Sequence, residues 1–463
     1  TTDNNYVVNK LALTGAAIAG VTTTYATAAD AGAVSFTNVQ GAVGSKDKVT
    51  SVASIVDANS SANISTSGNL KAGSYNQTAT VISGDDAANY SFAGITTTDN
   101  NYVVNKLALT GAAIAGVTTT YATAADAGAV SFTNVQGAVG SKDIVTSVAS
   151  IVDANSSANI STSGNLKAGS YKQTATAISG DDASNYSFAG ITTTDNNYVV
   201  NKLALTGAAI AGVTTTYATA ADAGAVSFTN VQGAVGSKDK VTSVASIVDA
   251  NSSANISTSG NLKAGSYKQT ATAISGDDAA NYSFAGITTT DNNYVVNKLA
   301  LTGAAIAGVT TTYATAADAG AVSFTNVQGA VGSKDKVTSV ASIVDANSSA
   351  NISTSGNLKA GSYNQTATAI SGDDAANYSF TGITTTDNNY VVNKLALTGA
   401  AIAGVTTTYA TAADAGAVSF TNVQGAVGSK DKVTSVASIV DANSSANIST
   451  SGNLKAGSYN QTA

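Results

Sequence analysis

Tyr6-Val7-Val8-Asn9-Lys10-Leu11-Ala12-Leu13-Thr14-Gly15-Ala16-Ala17-Ile18-Ala19-Gly20 decides how the chain is read. The same string opens again at Tyr102, Tyr198, Tyr294 and Tyr390. The spacing is 96 residues, and the 463-residue chain stops inside the fifth copy. The copies differ at five positions of the period: Lys48 against Ile144, Asn76 against Lys172 and Lys268, Val81 against Ala177, Ala273 and Ala369, Ala88 against Ser184, and Ala93 against Thr381. Such uniformity gives each copy the same structural task. One chain rarely needs five copies of one active site, whereas reach grows with copy number. A unit of this length can hold its own small core. No sub-period near 20 residues, the mark of a continuous solenoid, runs inside it.

Within the quoted string the apolar phase flips. Tyr6 and Val8 share one face of an extended strand, and Leu11 and Leu13 share the opposite one. A strand that leaves one unit and enters the next would do this around Asn9-Lys10, and no Pro- or Gly-rich linker lies there. The pattern predicts residues 1–9 as the closing strand of a preceding unit. It predicts repeat domains over 10–105, 106–201, 202–297 and 298–393, and an incomplete fifth over 394–463 that lacks its closing strand. Both ends would then present unpaired strand edges. The opening Thr1–Lys10 has neither the basic nor the apolar region of a signal peptide, so the chain reads as a window of a longer one.

Elsewhere in the unit, runs of Thr, Val, Ile, Tyr and Phe alternate with clusters of Gly, Asn, Asp and Ser. Strands are expected near 6–13, 20–26, 33–39, 48–56, 61–66, 74–83 and 89–95. The segment from Leu13 to Val21 is too short and Gly-rich for a helix. Substitutions among copies mark the wet faces at Lys48, Asn76 and Ala93. Alternation then puts Val21, Tyr25, Val34, Phe36, Val49, Ala53, Ile55, Ile64, Leu70, Tyr75, Val81, Tyr90 and Phe92 inside. The expected fold class is all-β: tandem immunoglobulin-like antiparallel β-sandwich domains forming an elongated rod.

Composition removes much chemistry. The chain has no Pro, Cys, Met, Trp, His, Arg or Glu, so Lys supplies all 21 positive charges and Asp all 28 negative ones. A net charge of −7 offers nothing to phosphate backbones or anionic lipid. No apolar run is long enough to span a bilayer as a helix. No imidazole or thiol is present, and Gly41–Asp47 has the wrong spacing for a phosphate loop. No catalytic residue and no cofactor is assigned, and the chain is not expected to be an enzyme. Asp85-Asp86, repeated as Asp181-Asp182, is the densest acidic point and the one weak calcium candidate, with Asp47 and Asp57 as possible neighbours. A turn in which Asp and Asn cap their own backbone explains the same residues, and the spacing is not that of an EF-hand. The Asn-x-Ser/Thr triplets at Asn59, Asn63, Asn76 and Asn89 are expected by chance in so Asn- and Ser-rich a chain.

Gly84-Asp85-Asp86-Ala87-Ala88-Asn89-Tyr90, Thr96–Gly111 and Val21–Phe36 together resemble the YDG and MBG repeat modules of large bacterial surface adhesins. Gly84, Asp86, Asn89 and Tyr90 match the Gly-Ala-Asp-x-x-Asn-Tyr turn of those modules. Lys10 and Leu11 match part of their Pro-Lys-Ala-Leu strand end, with Asn9 in place of Pro. Tyr25-Ala26-Thr27 stands where they carry Tyr-Asp-Gly. The likeness covers every copy. It implies an extracellular β stalk of a filamentous-haemagglutinin-type or related adhesin, attached to the cell surface or secreted. The expected partners are neighbouring repeats, other copies of the chain, and a receptor bound outside this segment, with no nucleic acid and no membrane insertion. The rival readings are a self-assembling filament subunit joined by edge-strand exchange, and a calcium-dependent ligand-binding repeat.

Overall fold

The structure, a computed structural model, describes residues 6–463. It is all-β. Among the described residues the only helical segments are four single 3-10 turns, at Ala87–Asn89 and its counterparts in the next three copies. The expected closing strand at residues 1–9 falls partly outside the described residues, and its described part, 6–9, forms no strand.

The second copy shows the full pattern. Its short strands are Leu107–Ala108, Ala113–Ile114, Val117–Thr120, Val130–Ser131, Ser150–Ile151, Gly169–Tyr171, Gln173–Ala175, Tyr186–Ser187, Ile191–Thr192 and Tyr198–Asn201. They pair in small sheets. Ser150–Ile151 and Ile191–Thr192 flank Gln173–Ala175, both antiparallel. Gly169–Tyr171 and Val117–Thr120 flank the closing strand Tyr198–Asn201, the first antiparallel and the second parallel. Leu107–Ala108 also runs parallel to Tyr186–Ser187. The expected antiparallel pairing is therefore corrected to a mixed one. Parallel partners need a long crossover connection. Here most of the copy serves as that crossover, because early and late strands run the same way along the chain.

Several expected strands differ in detail. Residues 61–66 are turns, with a single antiparallel bridge between Ile64 and Leu70. Ala17–Ile18, expected in a gap, is a strand, and Ile18 is buried. Val81, expected in the core, is 71% exposed. The strand Gln77–Ala79 ends before it, so the alternation that points Ala79 inward does not carry through. Tyr25, Ala53 and Tyr90 are buried as expected, and Val21, Val34, Phe36, Val49, Ile55, Ile64, Leu70, Tyr75 and Phe92 are partly buried.

A buried glutamine that the pattern did not flag pins the middle of each copy. Gln173 is fully enclosed: its Oε1 accepts from Gly128 N–H at 2.6 Å, and its Nε2 donates to Ala115 O at 3.0 Å and Asn197 Oδ1 at 2.9 Å. Asn197 in turn donates to Ile114 O at 3.0 Å. A buried amide with all its partners specifies one arrangement of the strands around it. Gly128 is required here, since a Cβ would sit 1.8 Å from Ala115 O.

The chain divides into two compact units, Thr1–Ala208 with Ser227–Ser243 and Thr272–Ala285, and Ala209–Val226 with Val244–Ala271 and Gly286–Ala463. The division passes through the third copy. Its strand Leu203–Ala204 and its Tyr282 pack with the second copy, whereas its Tyr217 and Tyr294 pack with residues of the fourth. Packing thus follows the joints between copies as closely as it follows the copies themselves.

Candidate functional site: the joint between copies

With no constellation of catalytic type in the sequence, the most elaborate polar geometry lies where one copy meets the next. The joint between the first and second copies begins with the closing strand. Tyr102–Asn105 lies between Val21–Thr24 and Gly73–Tyr75 of the first copy, and two residues later Leu107–Ala108 pairs within the second. Tyr102 and Val104 point into a cluster with Tyr25 and Tyr186, with Leu107 and Leu109 packed against it. This is the phase flip of the quoted string in three dimensions: one strand gives its first apolar pair and the next strand its second to the same interface.

Tyr25 belongs to the first copy and Tyr186 to the second. Their rings meet edge to face with centroids 5.3 Å apart, a geometry that contributes about 0.5–1.5 kcal/mol beyond area burial. Both hydroxyls converge on one carboxylate. Tyr25 Oη donates to Asp143 Oδ2 at 2.5 Å, and Tyr186 Oη donates to the same oxygen at 2.7 Å. Asp143 Oδ1 accepts from Ser67 N–H at 2.8 Å. Ser65 Oγ and Ser67 Oγ lie 2.6 and 3.1 Å from the Tyr25 hydroxyl. The single phenolic proton goes to the carboxylate, so the serine hydroxyls are left to donate to Tyr25.

Two more side chains of the second copy hold the same loop of the first. Asp182 Oδ1 accepts from Thr66 N–H at 3.2 Å while its Oδ2 accepts from Ile144 N–H at 2.9 Å. Asn185 Oδ1 accepts from Ala72 N–H at 2.9 Å, which fixes the orientation of its amide. The loop 66–72 of one copy is therefore clamped by three acceptors of the next. The arrangement recurs with Asp239, Asp278 and Asn281 on loop 162–168, and with Asp335, Asp374 and Asn377 on loop 258–264.

These carboxylates are buried, and their hydrogen bonds come from neutral O–H and backbone N–H donors. Burial acts to push the pKa of Asp143 up, but hydrogen bonds from Tyr25, Tyr186 and Ser67 outweigh it and hold the carboxyl below its ordinary range. For Asp278 burial again opposes, and hydrogen bonds from Thr162 and Lys240 N–H, with the Lys167 ammonium, bring the net value down. The tyrosines respond in the opposite sense. Burial, then the Asp143 carboxylate, pushes Tyr25 and Tyr186 up from the ordinary phenol value.

The fifth copy, which has no closing strand within this chain, shows what the joint supplies. Its residues 405–408, counterparts of Val117–Thr120, form no strand. Tyr409 is 50% exposed where its counterpart Tyr121 is 0% exposed. The strands Ala401–Ile402, Val418–Ser419, Ser438–Ile439 and Gln461–Thr462, in the middle of that copy, still form.

The acidic pair singled out in the sequence divides into two roles. Asp85 is exposed and reaches Lys48 Nζ at 3.2 Å, a surface ion pair of little weight. The second copy does without it, because Ile144 replaces the lysine. Asp86 accepts from Lys48 N–H, and its counterparts in later copies are the joint acceptors already described. Asp47 takes the Tyr90 hydroxyl, while Asp57 offers its backbone carbonyl to Asn63. Among the described residues no three acidic side chains converge as a metal site would need. Asp47 as a joint residue escaped the sequence reading. The available signal was that Asp47 and Asp86 stay unchanged in every copy that contains them, while their neighbours Lys48 and Ala88 vary.

No helix among the described residues is long and apolar enough to cross a membrane. Compared with known proteins, the chain matches no family model and no curated protein sequence.

Proposed function

We propose that this chain is a length of structural stalk from a secreted bacterial surface adhesin or extracellular fibre. Its immunoglobulin-like sandwich units would stand in line as a rod and give reach and mechanical continuity. The observation that carries the reading is the joint. At each of the first three joints a closing strand paired within its own copy brings up an aromatic contact and three backbone-clamping acceptors from the next copy, and the set is repeated with the equivalent residues. A flexible string of binding modules has no use for such a joint. A load-bearing stalk does, because force passing from copy to copy crosses hydrogen bonds and packing at every step.

Pulling single molecules of the chain from its two ends tests this. A stalk resists until cooperative steps appear, each releasing a large part of a copy. An unfolded 96-residue copy spans at most roughly 330 Å. Extension at low force with no steps, as for a chain of independent beads on soft linkers, would remove the reading.

A further inference from the structure

We infer that each joint is a site of oxidative cross-linking, at which the two facing tyrosines couple to a dityrosine that ties one copy covalently to the next. The chain has no Cys, Met, Trp or His, so oxidation that those side chains would otherwise absorb falls on its 19 tyrosines. The joint pairs are placed to couple. Tyr25 and Tyr186 meet edge to face with ring centroids 5.3 Å apart, and Tyr121 with Tyr282 and Tyr217 with Tyr378 repeat that distance. Within a copy the edge-to-face pair is phenylalanine, as at Phe36 and Phe92, and carries no hydroxyl.

The phenolic proton also has a base to receive it. At each joint both hydroxyls donate to one carboxylate oxygen, that of Asp143, Asp239 or Asp335. A phenol gives up an electron more readily when its proton passes to a base in the same step. Tyr75 and Tyr102 instead donate to the backbone carbonyls of Lys71 and Ala29, which do not take up a proton. All six joint rings are buried, so the electron leaves through the protein and no ring of another molecule reaches them. The facing tyrosine is then the coupling partner.

The oxidant is a one-electron acceptor from outside the protein, of the peroxidase or photo-oxidised ruthenium class. It removes one electron from each ring, and the carboxylate takes each phenolic proton and passes it to water. The two phenoxyl radicals join through ring carbons ortho to oxygen, and the hydrogen on each of those carbons moves to its own ring's oxygen. Each link thus releases two electrons and two protons. The links overlap along the sequence, since Tyr121 lies between Tyr25 and Tyr186 and Tyr217 lies between Tyr121 and Tyr282. The shortest covalent path from Tyr25 to Tyr378 then runs through residues 186–217 and two side-chain links, and load can extend nothing more between them. The inference rests on the joint geometry and not on the stalk reading, so its failure leaves that reading standing.

The test illuminates the full chain, dilute, with tris(bipyridine)ruthenium and persulfate, then digests it and maps the linked peptides by mass spectrometry. Dityrosine fluorescence should appear, and three intramolecular links should each show the loss of two hydrogens. Each should join a peptide of the Tyr25 kind to one of the Tyr186 kind. Ser184 marks the peptide of the second copy and Thr381 that of the fourth, so the links can be told apart. Tyr25→Phe and Tyr186→Phe should each abolish the link marked by Ser184 and leave the other two. Phenylalanine keeps the ring, and the two surviving links with unchanged circular dichroism report a folded chain. Absence of dityrosine, links that run through other tyrosines, or a link marked by Ser184 that survives Tyr25→Phe overturns the inference.

Discussion

Replacing Asp143 by Asn tests the joint where it is densest. The carboxylate accepts three hydrogen bonds, from Tyr25, Tyr186 and Ser67 N–H, at 2.5, 2.7 and 2.8 Å. Bonds to a charged group contribute about 1.5–3 kcal/mol each and neutral ones about 0.5–1.5. Losing the charge therefore removes about 1 kcal/mol per bond, or about 3 kcal/mol in all. In addition, an amide NH2 in place of Oδ2 turns a donor toward two hydroxyls, which must rotate away from each other's best partners. An opening equilibrium shifted by about 3 kcal/mol is a change of over 100-fold. Hydrogen exchange reads it locally: the amide of Ser67 and those of Tyr102–Asn105 should lose protection by that factor, while the amides around Gln173 keep theirs. Asp47→Asn is the control within the same chain, because Asp47 receives the Tyr90 hydroxyl but no loop of a preceding copy. It should leave the joint amides unchanged. Equal protection in the Asp143 variant and the parent, or an equal loss in the Asp47 control, would refute the assignment of the joint to this carboxylate.

Acid should loosen the joints before it unfolds the copies. Asp143, Asp278 and Asp374 are held below their ordinary values. Their contribution is full above the unfolded value of about 3.9 and is lost as pH falls through the lower folded value. Near-ultraviolet tyrosine dichroism should follow that loss, and a signal flat down to strong acid would contradict it. At the other extreme, Tyr25 and Tyr186 are raised, so their contribution is full below about pH 10 and disappears as pH climbs from there toward the folded values. Gln173→Ala leaves the Gly128 N–H, the Ala115 carbonyl and Asn197 Oδ1 without their shared partner. At about 1–3 kcal/mol per orphaned group, the melting of the second copy should fall by at least 3 kcal/mol; a loss under 1 kcal/mol in calorimetry would mean that water replaces the amide. Ala122 holds a left-handed φ of 62°. Ala122→Gly should raise stability by about 1 kcal/mol, read as a higher urea midpoint, and a lower midpoint would show that the methyl packs usefully.

Much of this architecture is legible in the residues alone. The 96-residue period, the strand-rich character, the inward Tyr25, Ala53 and Tyr90, and the phase flip around Asn9-Lys10 are all local patterns. They follow from side-chain alternation along an extended backbone, which needs no knowledge of what lies opposite. The expectation failed at Val81, where the strand ends two residues early, and at 61–66, where turns replace a strand. Alternation says which way a residue points only while a partner strand keeps the backbone extended.

Tertiary structure decided the rest. Tyr25 and Asp143 are 118 residues apart and belong to different copies, and no spacing rule joins a phenol to a carboxylate at that range. The parallel pairing of Val21–Thr24 with Tyr102–Asn105 depends on the whole intervening copy folding back, and the burial of Gln77 depends on the backbone groups that copy brings around it. The sequence by itself determined a repeated β unit whose apolar phase flips at the end of its closing strand. The fold alone determined that the acidic turn beginning at Gly180 serves to hold the preceding copy, because a polar side chain takes its role from the donors that surround it once the chain is packed.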